Sequence, residues 1–139
     1  MPLHLLKMCV GCDSVDDLRQ WQRDRALRGE RIAHRTRNMP RRAPEILQGG
    51  SLYWIIQGQI RVRQRIIGLD PGVDGEGTRF CLITFDPELA ETVRVPTRPM
   101  QGWRYLEPQD APPDLAGRTD EVDQMPPNLV RELRSLGLM

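Results

Sequence analysis

The sequence predicts an α+β fold: a small mixed or antiparallel curved sheet, or pseudo-barrel, with an N-terminal helix and a short C-terminal helix. The chain has 139 residues, a length that suits one compact domain. Hydrophobic residues make up 39% and charged residues 28%, the composition of a globular protein. The patterns run in the order strand, helix, basic arm, meander of strands, helix. That order favours α+β over a regular βαβ alternation.

The N-terminal part predicts a buried strand followed by a capped helix. Residues 3–10 form a nearly continuous apolar run of strand length. Ser14, with an acidic residue three positions later, has the pattern of a capping box. We therefore expect a helix over residues 14–28, with Gly29 as its stop. Its apolar side is expected to consist of Val15, Leu18 and Trp21.

The middle of the chain predicts an extended basic arm and then a run of strands. Pro40 and Pro44 exclude a long helix in residues 30–42, which contain five arginines around His34. A short helix is expected at 43–48, and Gly58 is expected to turn one strand into the next. The expected strands are 51–57, 59–69, 79–85 and 92–95, with a mobile, turn-rich loop at 70–77.

The strand at 59–69 alternates aliphatic and basic side chains. Ile60 and Val62 fall on one face, because successive side chains of a strand point to opposite sides. The opposite face is then solvated or bound to a ligand. It carries Arg61, Arg63 and Arg65.

The C-terminal part changes in composition. Residues 101–106 form a compact aromatic segment, whereas residues 107–127 contain five prolines and six acids and predict irregular structure. A short amphipathic helix is expected at 128–136. We assign residues 1–115 to a single α+β domain. Residues 116–139 are assigned to an acidic linker and a short C-terminal helix that packs on the domain or trails it.

Charge is distributed unevenly along a chain whose net charge is only +1. Residues 19–65 contain 12 arginines and three acids, which leaves +9, while residues 66–139 contain seven arginines and 13 acids, which leaves −6. A positive field of this size attracts anionic polymers, and nucleic acid is the commonest of them. The alternative is that the acidic part folds back over the basic part and neutralises it.

Arginines close to aromatic residues predict a surface that binds RNA or a nucleotide. Guanidinium groups hold phosphates, and the faces of Trp and Tyr stack on bases. The alternative is that the tryptophans belong to the core and the arginines pair with acids of the tail. The candidate ligand-binding residues are His34, Arg37, Arg41, Arg42, Trp54, Arg61, Arg63, Arg65, Trp103 and Arg104.

Two cysteines stand at the predicted junction of the first strand and the helix. Cys9 and Cys12 have the CxxC spacing, and a thiolate at a helix N-terminus is stabilised by the helix dipole. A metal site would need two further ligands, which only Cys81, His4 and His34 offer. We expect both thiols to be reduced, unreactive and free of metal. The sequence implies no cofactor.

No catalytic motif is present: there is no nucleophile elbow, phosphate-binding loop or dinucleotide fingerprint. Two alternatives to nucleic-acid binding remain open. One is an enzyme acting on a small anionic substrate, with His34 as base and Arg63 and Arg65 as anion clamps. The other is a module that binds protein partners. Without a membrane-spanning run or a signal-peptide pattern, we expect a cytoplasmic protein that makes no membrane contact.

Several segments resemble one family of short bacterial proteins, described as domain of unknown function fourteen eighty-nine. They are residues 3–11, 36–58, 63–65, 98–106 and 110–115. Cys9 belongs to the sequence pattern of that family, whereas Cys12 does not. The resemblance assigns no activity and therefore no catalytic residue.

A looser resemblance concerns the fold. A short helix ending in Gly-Gly, followed by an apolar strand, a tight turn and an arginine-rich strand, is similar to the PUA-like superfamily, which includes the ASCH and EVE types. This resemblance implies a pseudo-barrel that binds RNA or modified bases in a cleft beside it.

Overall fold

A computed structural model of the chain describes residues 2–115. The expected linker and C-terminal helix in residues 116–139 lie outside the described residues. The elements in chain order are β1 (His4–Met8), α1 (Val15–Leu27), β2 (Ala33–Thr36), α2 (Ala43–Ile46), β3 (Ser51–Ile56), β4 (Gln59–Val73), β5 (Arg79–Pro96), β6 (Trp103–Leu106) and a 3-10 turn (Pro108–Asp110).

All six strands belong to one mixed sheet with the order β2-β5-β4-β3-β1-β6. Strand β1 runs parallel to β3, and the other neighbouring pairs are antiparallel. The α+β prediction is confirmed. The pseudo-barrel is not, because closure requires the two edge strands to pair and no pairing joins β2 to β6 in residues 2–115.

Helix α1 begins as the sequence predicts. The hydroxyl of Ser14 accepts a hydrogen bond of 3.1 Å from the backbone N–H of Asp17. The expected apolar side is only partly correct, because Trp21 is 40% exposed. The buried residue one position later is Gln22, whose side-chain amide is paired inside the protein.

Strands β3 and β4 form a hairpin with a two-residue turn. Gln57 (φ 53°) and Gly58 (φ 74°) both adopt the left-handed conformation that matches the twist of the flanking strands. Every residue of β3 is buried, so this strand is covered on both faces of the sheet.

The sheet separates two cores. The first core lies on the helix-bearing face and includes Val15, Leu18, Ile46 and Trp54. The second core lies on the opposite face. Its buried members are Leu6, Tyr53, Ile55, Ile60 and Leu106.

The prediction that Ile60 and Val62 are buried is confirmed, but the prediction that they share one face of β4 is wrong. Ile60 and Val62 are both buried, at 3% and 0% exposure. They belong to different cores, because the register of β4 shifts between them. Arg63 lies opposite Tyr53 and Arg65 opposite Ser51, so both arginines lie on the face of the second core.

Strands β4 and β5 are longer than predicted. The expected loop at 70–77 shrinks to a turn at 74–78, in which the carboxylate of Asp74 accepts hydrogen bonds from two backbone N–H groups. Gly72 lies in β4 opposite Phe80 of β5. A Cβ atom at position 72 would collide with the ring of Phe80 as it is placed here. The expected strands 79–85 and 92–95 are one strand, β5, which continues through register shifts.

The second core is closed by the segment that follows β5. Met100 and Ala111 pack on it. The backbone of residues 113–115 bonds to β5, since Val93 N–H donates to the Pro113 carbonyl at 2.9 Å. The guanidinium of Arg63 donates two hydrogen bonds of 2.7 Å to the carboxylate of Asp114 and fastens this segment.

A substitution at Gly50 tests the close packing between α2 and the start of the first strand. A Cβ atom on Gly50 would overlap the carbonyl oxygens of Leu3 and Ile46, both of them backbone atoms. We expect Gly50→Ala to lower the free energy of unfolding by about 2–3 kcal/mol, measured by urea denaturation. Gly75→Ala is the matched control, because nothing lies within 4 Å of a Cβ there. Equal stability of the two variants would contradict this packing.

Candidate functional site

The ten residues predicted as ligand-binding do not form one site. Arg63, Arg65 and Arg104 lie on the face of the second core, because Arg104 pairs with Leu6 of that core. Arg61 is half-buried beside the β4 register shift. The remaining residues fall into two groups. One comprises Arg37, Arg41, Arg42 and Trp103, and the other His34 and Trp54.

Carboxylates offset much of the charge around Arg63. Arg63 is ion-paired with Asp114 and also bonds to the hydroxyl of Ser51 at 3.0 Å. The cavity of about 570 Å³ that it shares with Arg65 is also lined by Asp86 and Glu88. Three acids and two arginines surround this space, so its charge does not favour a phosphate group.

The arm after β2 is attached to β6 by aromatic contacts. The indole N–H of Trp103 donates to the Asn38 carbonyl at 2.7 Å, and the phenol of Tyr105 accepts a hydrogen bond from the Arg42 backbone. The guanidinium of Arg42 is paired with Glu45 and Glu107. Trp103 is half-buried and packs against the first core.

Four arginines near the β2 edge form no ion pair within residues 2–115. Arg35 lies with its guanidinium 4.2 Å above the ring centre of Phe80. Arg37 and Arg79 line a cavity of about 750 Å³ that has no acidic residue among its lining residues. Arg41 is exposed in the arm. We refer to Arg35, Arg37, Arg41 and Arg79 as the free arginines.

A second cavity, which we name the aromatic pocket, lies between α1, the β1–α1 loop and the sheet. Its volume is about 390 Å³. Trp54 belongs to the core at 2% exposure, and the imidazole of His34 meets its ring edge-on at 5.8 Å. The pocket is lined by Cys9, Val10, Gly11, Cys12, Asp17, Trp21, His34 and Trp54.

Lys7 lies beside this pocket and is the one lysine of the chain. In the sheet it lies between Trp54 of β3 and Trp103 of β6, and it is only 9% exposed. Its ammonium group makes no hydrogen bond or ion pair with any described residue. Burial lowers the pKa of Lys7, because a buried cation without an acid partner is destabilised.

His34 is neutral at pH 7. Burial lowers its pKa to about 4, and the nearby charges of Lys7 and Arg25 act in the same direction. Arg25 is held in place because it donates to the Ala33 carbonyl at 2.7 Å and lies 4.1 Å above the ring of Trp21. A group with so low a pKa is a weak general base at pH 7, and it lies on the face opposite Arg63. The structure therefore does not bring together the base and clamps of the enzyme hypothesis.

The expectation for the cysteines is corrected. Cys9 and Cys12 form a disulfide, whereas free thiols were expected. Cys81 is free and buried. Within residues 2–115 there is no group of three or more His, Cys, Asp or Glu that could hold a metal ion. No helix there is long and apolar enough to cross a membrane.

Sequence reasoning missed several residues in and beside the aromatic pocket. The helical pattern predicts Trp21 on the packed side of α1 and gives no signal for Arg25. Lys7 was included in an apolar run, although a single lysine inside a buried strand is itself a signal for a site. Arg79 and Phe80 reach the free arginines only through the pairing of β5 with β2 and β4.

The neutral state of His34 predicts a stability change with pH. Its pKa is about 4 in the folded protein and near 6.5 when unfolded, so the unfolded chain binds more protons between these values. The stability that His34 contributes is complete above pH 6.5 and is lost as the pH falls towards 4. We expect wild type to lose on the order of 2 kcal/mol more than His34→Gln across this range, measured by urea denaturation. Parallel pH profiles of the two proteins would contradict the assignment.

Comparison with known proteins yields one match. The model of the family described as "Protein of unknown function (DUF1489)" matches residues 5–139. No curated protein and no solved structure matches the chain significantly, and the resemblance to the PUA-like superfamily is not confirmed. The family match covers nearly the whole sequence and confirms the family resemblance of its segments. The chain belongs to the DUF1489 family.

Proposed function

We propose that this protein binds single-stranded RNA. One base enters the aromatic pocket, and the free arginines hold the phosphates on either side of it. The main observation behind this proposal is that β2, an edge strand of the sheet, brings a pocket residue and unpaired arginines together in one short segment. His34 of this strand lines the pocket, and its neighbours Arg35 and Arg37 are exposed and unpaired with acids.

The pocket suits a flat, partly polar group. A volume of about 390 Å³ lies in the lower part of the range for small-ligand pockets, so it would take one base rather than an extended ligand. Trp21 presents an exposed ring, and stacking of a base on such a ring is worth about 1–3 kcal/mol. Neutral His34 carries one donor and one acceptor nitrogen for the edge of a base.

The charge around the pocket supports an anionic ligand. Lys7 and Arg25 lie close enough to His34 to lower its pKa, and neither forms an ion pair in residues 2–115, while Asp17 is the one carboxylate among the pocket's lining residues. The free arginines extend this positive charge along the β2 edge. Single-stranded nucleic acids are bound by this mixture of stacking rings and backbone-tracking cations.

The arginines of the β2 edge are tested by a charge-matched pair of variants. We expect the double variant Arg35→Ala/Arg37→Ala to bind a labelled single-stranded RNA of 12 nucleotides at least tenfold more weakly than wild type. Loss of two phosphate contacts should reduce the slope of log K against log salt by about 1.4. The measurement is fluorescence polarisation across a salt series.

Arg94→Ala/Arg98→Ala is the control, because both of its arginines are exposed and lie outside the proposed surface. It removes the same charge and should bind within about threefold of wild type. Equal losses in both double variants would indicate nonspecific attraction and contradict the location of the site. Absence of binding by wild type at low salt would contradict RNA binding itself.

Trp21 tests the base-stacking role. We expect Trp21→Ala to weaken RNA binding by about 1–3 kcal/mol with little change in melting temperature, because its ring is 40% exposed. Leu27→Ala, on the same helix and 85% exposed, is the control and should leave binding unchanged. Full RNA affinity in a folded Trp21→Ala protein would contradict a base in the aromatic pocket.

A further inference from the structure

We infer that Cys9 and Cys12 form a thiol–disulfide exchange site that reacts with a dithiol partner. This activity is separate from RNA binding and does not rest on it. The site stands at the mouth of the aromatic pocket, where β1 ends and the loop to α1 begins.

The backbone holds the two cysteines in position for a reversible bond. Cys9 is anchored to the sheet because its N–H donates to the Ile55 carbonyl at 2.9 Å. The chain then turns back through Gly11, whose φ of 86° suits glycine, and the Cys12 N–H bonds to the Cys9 carbonyl at 3.3 Å. The two Cα atoms are 5.6 Å apart, within the ordinary range for a disulfide. Breaking the bond therefore requires no rearrangement of the strand.

The two sulfur atoms differ in access. Cys9 is 8% exposed and packs in the first core, whereas Cys12 is half-buried at the rim of the pocket. An incoming thiolate would reach the sulfur of Cys12. This difference in access makes Cys12 the attacked sulfur and Cys9 the leaving sulfur.

The surroundings offer a docking area for an apolar partner. Val10, between the cysteines, is 86% exposed, and Trp21 across the pocket is 40% exposed. Large apolar side chains left exposed around a concave surface are typical of interaction sites. The partner class is therefore a protein dithiol that carries an apolar side chain next to its reactive cysteine.

The exchange balances in two steps. A partner thiolate attacks Cys12 Sγ, the Cys9–Cys12 bond breaks, and Cys9 leaves as a thiolate. The second partner thiol, deprotonated by solvent, then attacks the partner sulfur of the mixed disulfide and releases Cys12 as a thiolate that takes up a proton. Two electrons pass from the partner dithiol to this protein, and the partner becomes a disulfide.

Lys7 is placed to stabilise the leaving thiolate. Leu5 and Cys9 both belong to the first core, so Lys7, two residues before Cys9, projects from the same face of β1. Its ammonium group has no partner in residues 2–115. The acids of this region follow Cys12 in the chain and are hydrogen-bonded to neutral groups: Asp13 accepts a hydrogen bond from Gln57, and Asp17 accepts one from the Asp13 N–H. Neutral His34 adds no charge, and Arg25 adds a second cation to the pocket.

The exchange is tested by redox titration of the whole chain. Protein is equilibrated in buffers of reduced and oxidised dithiothreitol, alkylated, and mapped by peptide mass. We expect one two-electron transition in which Cys9 and Cys12 change together, while Cys81 stays unlabelled because it is fully buried. Because Lys7 stabilises the Cys9 thiolate, native protein should lose the disulfide at less reducing ratios than the same chain in urea. Thiols that remain free at every ratio, or a native transition that coincides with that in urea or lies at more reducing ratios, would overturn the proposal.

Single-cysteine and charge variants complete the test. With glutathione disulfide as the probe, we expect the Cys12 thiolate of Cys9→Ser to form a stable mixed disulfide and release one glutathione thiolate, and in Cys12→Ser we expect Cys9 to react at least tenfold more slowly. Equal rates would overturn the assigned order of attack.

In reduced Lys7→Met, the pH midpoint for alkylation of Cys9 should rise by at least one unit. Arg23→Met, an exposed helix position, should leave it unchanged, and an unchanged midpoint in Lys7→Met would overturn the role of Lys7.

Discussion

Strand β3 is buried on both faces, and one hydrogen-bonding requirement within it organises the fold. Trp54 places an indole N–H inside the first core, where an unpaired donor is costly. Gln64 of β4 accepts this bond at 3.3 Å, exchanges amide hydrogen bonds of 2.8 Å with Gln22 of α1, and donates to the Asp86 carbonyl of β5. One buried amide therefore fixes a strand, a helix and the neighbouring strand at once.

The same network shapes the aromatic pocket. Because Gln22 must face Gln64, the helix turns Trp21 outward, where its ring forms the outer wall of the pocket. Trp54 forms the inner wall, and His34 meets it edge-on from β2. Lys7 occupies the neighbouring position of β1, next to Trp54 in the register. The pocket and the unpaired cation beside it thus both adjoin the buried ring of Trp54.

Two sets of arginines, one ion-paired and one unpaired, look alike in the linear sequence and are distinguished only by the structure. Arg42 and Arg63 are paired with Glu107 and Asp114, which are more than 50 positions away in the chain. Their charge stabilises the attachment of the C-terminal segment rather than attracting a ligand. The free arginines lie near the β2 edge, where they form no ion pair with any described residue. The excess of +9 in residues 19–65 thus overstates the charge that a ligand would meet.

The sequence by itself determined the local structure. The capping box placed the start of α1, Gly58 predicted the turn from β3 to β4, and the apolar run of β1 predicted a buried strand, because each depends on neighbours within a few residues. The α+β class followed from the order of these elements. Only the tertiary structure decided that the sheet stays open, that β4 and β5 continue through register shifts, and which face each arginine occupies. It also brought Lys7, Trp21, His34 and the cysteines together. These features depend on strand pairing and on buried polar partners distant in sequence, which no local pattern encodes.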